Sequence, residues 1–372
     1  MIFFGKSMKL ASEFFGKQIF LRPNFAKAKL IAYYWYLRCG GMEIFMRKTL
    51  LGNLLLLLAA IIWGFAFVAQ VLGVSQGVGP FTFNATRFFI GAMALLPVLL
   101  ILGRKNRKSG EVKSGVETKK GVGEWKKLIF SSVFCGTMLF FAANLQQYAL
   151  TVNSNPGLAG FITALYTVWT PVAYFLIFRK KTAINVWIAV GVSIAGFYLL
   201  CMTDGGGIYF GLDIVLLLIS TLFWTAHILS VDKFIAEVDA LKLSFGQYMV
   251  CSALTAILAL IFEWNTFSLA SVWGAKWSIL YCGVLSVGVA YTLQVVGQRM
   301  TNPVFAVIIM STESVFSAIG GVLWNLLVPV ALAVDQDISD LGYVGCGVIF
   351  LGVIISQLDF SRFFRRRDSA GK

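Results

Sequence analysis

Ten stretches of this chain, each long, apolar and almost free of charge, decide what it can fold into: residues 50–74, 80–103, 127–150, 156–178, 183–202, 211–231, 243–262, 277–298, 303–325 and 341–360. A run of about 20 such residues matches a hydrocarbon core roughly 30 Å thick, where no water satisfies a free backbone N–H or C=O. Helices satisfy their own backbone groups, so the expected class is an all-α polytopic membrane protein with ten transmembrane helices. Composition agrees, because 58% of the 372 residues are hydrophobic and only 13% charged, well outside the mix of a soluble domain.

The ten runs are not independent. Moving Gln147–Phe178 forward by 147 positions lays Gln147 on Gln294, Pro156 on Pro303, Ala159 on Ala306 and Tyr166 on Glu313, without a gap. Upstream the offset is 161, which puts Trp63 on Trp224, and near the end it is 156, which puts Gly191 and Gly196 on Gly347 and Gly352. The same five-segment unit therefore occurs twice, with extra residues in the loops of one half or the other. The expected organisation is a basic extension over 1–46, a first five-helix repeat over 47–202, a second over 203–360 and a basic tail over 361–372.

Charge fixes the expected orientation. The net charge of +14 could suit nucleic acid, but its placement argues against that partner. Arg47 and Lys48 precede the first run, nine Lys and Arg lie between Arg104 and Lys127, and Arg179–Lys181, Lys233, Lys242, Arg299 and the tail arginines follow in alternate connections. The remaining connections hold one lysine, Lys276, beside acidic Glu263, Asp335, Asp337 and Asp340. This alternation is the positive-inside pattern, so both termini are expected on the cytoplasmic side of a cell membrane. Five runs per half then make the second half enter inverted relative to the first. The basic loop over 104–126 reads as a disordered linker able to touch anionic lipid head groups; homodimer formation is left open.

Polar residues inside the runs are the candidate site. Trp63 and Gln70 share one helical face, and two readings stand, a helix-packing face or the wall of a central cavity. Arg87 lies about two turns into the second run; a charge at that depth costs about 2.5–3.5 kcal/mol on insertion scales, so it should face protein or water unless it snorkels. Gln147 and Gln294 occupy equivalent places, and Pro156 and Pro303 open the fourth and ninth runs, where a missing N–H is harmless. Tyr166 against Glu313 makes the halves chemically unequal at their most polar depth. A carboxyl there is a functional candidate by default, and a neutral, hydrogen-bonded acid between helices is the structural alternative. Arg87 is the expected partner of Glu313, with His227 second. His227, the only histidine, suits either proton transfer or helix packing.

Taken together, the half-repeat, Trp63-Gly64, the segments beginning at Gln147 and Gln294, Glu313-Ser314-Val315-Phe316 and the glycine-rich last helix resemble the EamA-like branch of the drug/metabolite transporter superfamily over about residues 47–360. The resemblance implies a secondary carrier of small metabolites with substrate held between two five-helix halves. The family often has a glutamate-proline pair in the fourth and ninth helices, where this chain has Tyr166-Thr167 and Glu313-Ser314. The family's Gly-Glu turn after the ninth helix is replaced by Asn325–Asp340.

Other activities lack their residues. No GxxxxGK[ST] loop or HExxH occurs, the GxSxG match at Gly73–Gly77 falls at the end of the first apolar run rather than on a strand-to-helix turn, and the six cysteines are scattered with no CxxC pair, so no ATP-driven, metalloprotease, serine-protease or zinc chemistry is expected. The sequence thus predicts no enzyme, no catalytic residue, no cofactor and no metal. It predicts a transporter of a small polar, amino-acid-like solute, an exporter working by alternating access and coupled to protons. Substrate would sit among Trp63, Arg87, Gln147, Tyr166, Trp224, Tyr248, Gln294 and Glu313, with Glu313 and His227 carrying the proton. The rival is a non-transporting membrane protein handling lipid or assisting assembly, which a chamber too narrow for a metabolite would favour. Because the repeat needs nothing before Arg47, translation is expected to start at Met42 or Met46. N-terminal mass determination of the natively expressed protein should therefore find no peptide from residues 1–41, and recovery of one would restore that segment as an interfacial arm.

Overall fold

The computed structural model describes residues 24–108, 117–179, 184–201, 207–329, 333–334 and 338–357. The first 23 residues, the middle of the basic loop at 109–116 and the tail 361–372 lie outside the described residues. Met1–Leu50 and Leu51–Lys372 form separate units, and every contact described below belongs to the second.

The described chain is helical throughout. Its long helices are α1 (Asn24–Ser75), α2 (Pro80–Lys108) and α3 (Glu117–Val152), followed by α4 (Pro156–Thr163), α5 (Tyr166–Phe178) and α6 (Ile184–Leu200). After these come α7 (Leu212–Phe234), α8 (Ala240–Phe262), the short α9 (Leu269–Gly274) and α10 (Lys276–Leu280). A π-helical stretch, Tyr281–Tyr291, continues α10 into α11 (Thr292–Gln298), and α12 (Pro303–Met310), α13 (Glu313–Leu327) and α14 (Asp340–Gln357) complete the bundle.

Eight stretches among the described residues are long and apolar enough to cross a membrane, and the protein is a multi-pass membrane protein. The fifth and tenth runs fall short of that measure, as the apolar helices Ile184–Leu200 and Asp340–Gly352. At 1.5 Å per residue, the 17 residues of α6 reach only about 25 Å. These two pack on each other closely, since a Cβ on Gly345 would come within 2.5 Å of the Gly196 oxygen. Small residues let backbones meet where apolar side chains gain nothing by leaving lipid. The basic loop is also more helical than expected, because α2 runs on to Lys108 and α3 begins at Glu117.

The fourth and ninth runs were expected as single helices, and each is two. The break falls after Thr163 in one and after Met310 in the other, which are equivalent positions at the offset of 147. Asn155 and Asn302, again equivalent, cap the first halves by accepting the N–H of Leu158 (2.9 Å) and of Val304 (3.0 Å), with Pro at the first helical position of each. At the breaks the chain tightens into three-residue turns: Thr167 N–H donates to Ala164 at 3.0 Å, and Ser314 N–H to Ser311 at 3.2 Å. In the second break side chains reinforce the turn, with Ser311, Thr312, Ser314 and Ser317 hydroxyls each donating three residues back at 2.7–2.9 Å. Such bonds draw the backbone out of the α-helical pattern. In the first break Pro171 has no N–H to offer Thr167.

One contact ties the halves together at the end of the bundle opposite the basic connections. The Glu263 carboxylate, beyond the end of α8, accepts the Phe81 N–H at 2.8 Å and the Thr82 N–H at 2.7 Å. It thereby satisfies two of the free donors at the N-terminus of α2. At the other end of the molecule's packing problem, α1 lies directly on α13. A Cβ on Gly64 would stand 2.3 Å from the Phe316 Cβ and 2.9 Å from the Glu313 oxygen. Gly64→Val should therefore destabilise the protein by roughly 1–3 kcal/mol, the usual cost of overpacking, read as a lower thermal midpoint in detergent. Gly191→Ala, at a position with nothing within 4 Å, should leave that midpoint unchanged or slightly raised.

Candidate functional site

Both helix breaks open onto one internal chamber. Tyr166, first residue of α5, and Glu313, first residue of α13, line it together with Thr163 and Met310 from the preceding half-helices. Broken backbone is tolerated at membrane depth only where protein or a polar cavity satisfies it. The N-terminal end of each second half-helix, its positive dipole end, thus points at the chamber. Glu313 is 5% exposed and its carboxyl is placed beside the Tyr166 hydroxyl.

The remaining wall comes from both halves. Trp63 and Gln70 of α1, Arg87 of α2 and Gln146 of α3 face Trp224 of α7, Ser286 and Tyr291 of the π-helical stretch, and Gln294 of α11. The two equivalent tryptophans are pinned differently: Trp63 Nε1 donates to the Ser286 carbonyl at 3.3 Å, and Trp224 Nε1 to the Gln146 side chain at 3.0 Å. Gln146 in turn donates to Gln70 at 3.4 Å. Tyr291 is the hub of the aromatic wall, lying 4.7 Å from Trp63 and 6.0 Å from Trp224 between ring centroids.

Arg87 is the site's unusual member. It is 2% exposed, among the largest fully buried side chains, and its guanidinium lies 5.1 Å from the Phe88 ring and 5.9 Å from Phe83. Its Nε and Nη2 have no hydrogen-bond partner in the protein. The expected pairing with Glu313 does not occur: both groups line the chamber, but Glu313 is turned to Tyr166, and Arg87 to the aromatic rings and Cys282. Snorkelling is excluded by its burial.

Of the residues singled out from sequence, Trp63, Arg87, Tyr166, Trp224, Gln294 and Glu313 meet at the chamber. Gln147 is buried one position off, donating to the Gln70 carbonyl at 3.5 Å, while its neighbour Gln146 reaches the wall. Tyr248 is also behind the wall, 6.2 Å from Tyr291 and hydrogen-bonded to Thr292 at 3.0 Å. His227 contacts Gln247 at 2.9 Å and stands edge-on to Trp224 and Tyr291. Sequence reasoning did not single out Tyr291 and Ser286. Their signal was their place in the eighth run, three and eight residues before Gln294, on a helix whose π-helical winding defeats the ordinary 3.6-residue count.

The chamber is tight. The space open to the centres of water-sized molecules is about 30 Å³, enough for water and below the 300–1,000 Å³ of an ordinary ligand site. No group of three or more His, Cys, Asp or Glu able to hold a metal occurs among the described residues.

Known proteins resemble this chain in sequence or in fold. An uncharacterized transporter of Archaeoglobus fulgidus (strain ATCC 49558 / DSM 4304 / JCM 9628 / NBRC 100126 / VC-16) is 28% identical over 345 residues, which is 91% of this chain and 94% of that one. A protein of known crystal structure superposes with a TM-score of 0.57 at 16% identity, over 82% of this chain and 96% of its own, a likeness of fold alone. The sequence profile of the EamA-like transporter family matches twice, at residues 50–202 and 212–357. With most of its length covered by those two matches, this membrane protein belongs to the EamA-like transporter family.

Proposed function

We propose that this transporter is a proton-coupled exporter of small, polar, amino-acid-like solutes, built as ten membrane helices in two inverted five-helix repeats, 47–202 and 203–360. The observation that carries the substrate class is Arg87, a buried guanidinium with two unpartnered nitrogens on the chamber wall. A planar donor fork of that kind recognises a carboxylate in two-point fashion. Around it Trp63, Trp224 and Tyr291 offer ring faces to an ammonium group. Glu313 is the proton carrier, a buried carboxyl on a helix N-terminus with no ion pair to it among the described residues.

The repeat architecture draws support from the equivalent helix breaks, the equivalent Asn-Pro caps and the two separate profile matches. An odd number of helices per half would invert the second. The charge pattern supports a reading with both termini on the cytoplasmic side of the cell membrane and the basic loop against anionic head groups. Transport then consists of rocking of the halves about the chamber, with Glu263 bridging α8 and α2 while one end is shut. His227 is buried behind the wall against Gln247, and an indole N–H is a donor only, so its edge-on contacts with Trp224 and Tyr291 carry no proton to the chamber and Glu313 is the principal carrier.

The size of the chamber favours the rival, a protein that transports nothing and handles lipid or assists assembly. A room of about 30 Å³ does not admit a metabolite unless the halves part. Family membership is why transport is the preferred reading, with this structure as a contracted state of the cycle.

Three measurements decide between these. A metabolite-release screen of cells with and without the protein should show loss of one class of zwitterionic or anionic solutes to the medium. In proteoliposomes, Glu313→Gln should abolish uphill, proton-gradient-driven flux of that solute while downhill exchange persists; unchanged gradient-driven flux would remove Glu313 from coupling. Arg87→Ala should weaken apparent substrate affinity about 30- to 100-fold, the loss of a charged hydrogen-bonding partner, with Arg87→Lys recovering part of it. No solute flux under any gradient would support the non-transporting rival.

A further inference from the structure

We propose that a groove on the outside of the bundle, separate from the chamber, is a binding site for one membrane phospholipid, with an acyl chain between α1 and α13 and the phosphate on Lys276. The groove is large, about 400 Å³. Its walls are Phe65 and Leu72 of α1, Trp277 and Tyr281 at the start of the eighth run, and Leu323 and Leu327 of α13. Among the described residues no charged side chain lines it.

Its position fixes what can fill it. Leu72 lies one turn before the end of α1, Trp277 is the second residue of α10 and Leu327 is the last of α13. All three helix ends belong to the side of the bundle opposite the basic connections, so the groove starts at the membrane interface. From Leu72 to Phe65 it descends seven residues, about 10 Å, into the hydrocarbon layer. An apolar slot of this depth, opening sideways from a membrane protein, is in contact with acyl chains.

The mouth supplies the second half of the recognition. Lys276 is the one basic residue in the connections on this side of the chain. Its ammonium sits 4.7 Å from the Trp273 ring and 5.9 Å from the ring of Trp277. Trp277 both lines the groove and carries the lysine. Trp273 and Trp277 are 70% and 73% exposed, the behaviour of indoles that sit at head-group level. A lysine held by interfacial tryptophans above an apolar slot matches a lipid phosphate above its own acyl chain, by charge and by order of depth.

The groove is also placed to sense the chamber. Helix α1 separates the two, with Ala66 and Gln70 on the chamber side and Phe65 and Leu72 on the groove side. Helix α13 begins at Glu313 and ends in the groove at Leu327. A chain lodged between α1 and α13 braces the same two helices whose separation would admit substrate. This lipid site stands whether or not the chain exports amino-acid-like solutes.

Native mass spectrometry of the full-length protein, released from vesicles of phosphatidylglycerol and phosphatidylethanolamine, tests it. The expected result is one retained phosphatidylglycerol per chain after stepwise delipidation. Lys276→Gln should lower the preference for phosphatidylglycerol over phosphatidylethanolamine about fivefold. Gly320→Leu, which places a side chain on the groove floor beside Phe65, should abolish retention of both lipids while the thermal midpoint shows a folded protein. A phospholipid bearing a diazirine in mid-chain should label peptides of α1 and α13. Retention and labelling identical in wild type, Lys276→Gln and folded Gly320→Leu would overturn the proposal. So would a dimer mass free of lipid that Gly320→Leu dissociates, because it would assign the groove to a second copy of this chain. If Gly320→Leu fails to fold, Leu72→Trp fills the same groove and is read in the same way.

Discussion

The constraint on which this structure depends is that a backbone inside hydrocarbon must satisfy its own hydrogen bonds. A helix break in that layer has to be enclosed by protein or turned toward a polar cavity. This chain places two breaks at equivalent positions of a repeated unit, after Thr163 and after Met310, and both face the same chamber. The tight turns, the hydroxyls of Ser311 and Ser314 reaching back along the chain and the enclosing α1, α2, α7 and π-helical stretch all follow from that arrangement. The chamber is therefore a requirement of the breaks as much as a place for substrate.

The second consequence is electrostatic. Each break turns a helix N-terminus inward, and the residue at that terminus differs between halves, Tyr166 in the first and Glu313 in the second. Arg87 is not spent on neutralising Glu313. It is held by the faces of Phe83 and Phe88, which stabilise a cation without consuming its hydrogen-bonding capacity. Burying an arginine with free N–H groups is costly, and the cost has a purpose if an incoming anionic group completes the set. Trp63 and Trp224, by contrast, have their N–H groups occupied and contribute ring faces only.

Much of this was legible in the sequence because the signals were long-range and additive. Apolar runs and an offset of 147 survive local irregularity, so Tyr166 and Glu313, paired by that offset, are also the residues that open α5 and α13. Signals that needed local geometry were lost. The breaks lie within unbroken apolar text, and the serines and threonines that shape them are common in membrane helices. Gln147 was chosen over Gln146 because the repeat marks it, but a difference of one residue turns a side chain by about 100° around the helix. Charge alone makes Arg87 the first candidate partner of Glu313, with His227 second, whereas the fold sets Arg87 against the rings of Phe83 and Phe88. Helices α6 and α14 are apolar by composition, but their close packing on each other at Gly196 and Gly345 is a contact between distant parts of the chain that composition does not carry.

The most direct test of two halves rocking about a common chamber is a pair of distance distributions from spin labels in liposomes. One pair would join Gln76 to Ala270 at one end of the bundle, and the other would join Arg104 to Lys233 at the opposite end, all four being exposed positions. The account predicts reciprocal change when a proton gradient is imposed, one distance lengthening as the other shortens. Distances at both ends that stay fixed, or that lengthen together, would contradict it.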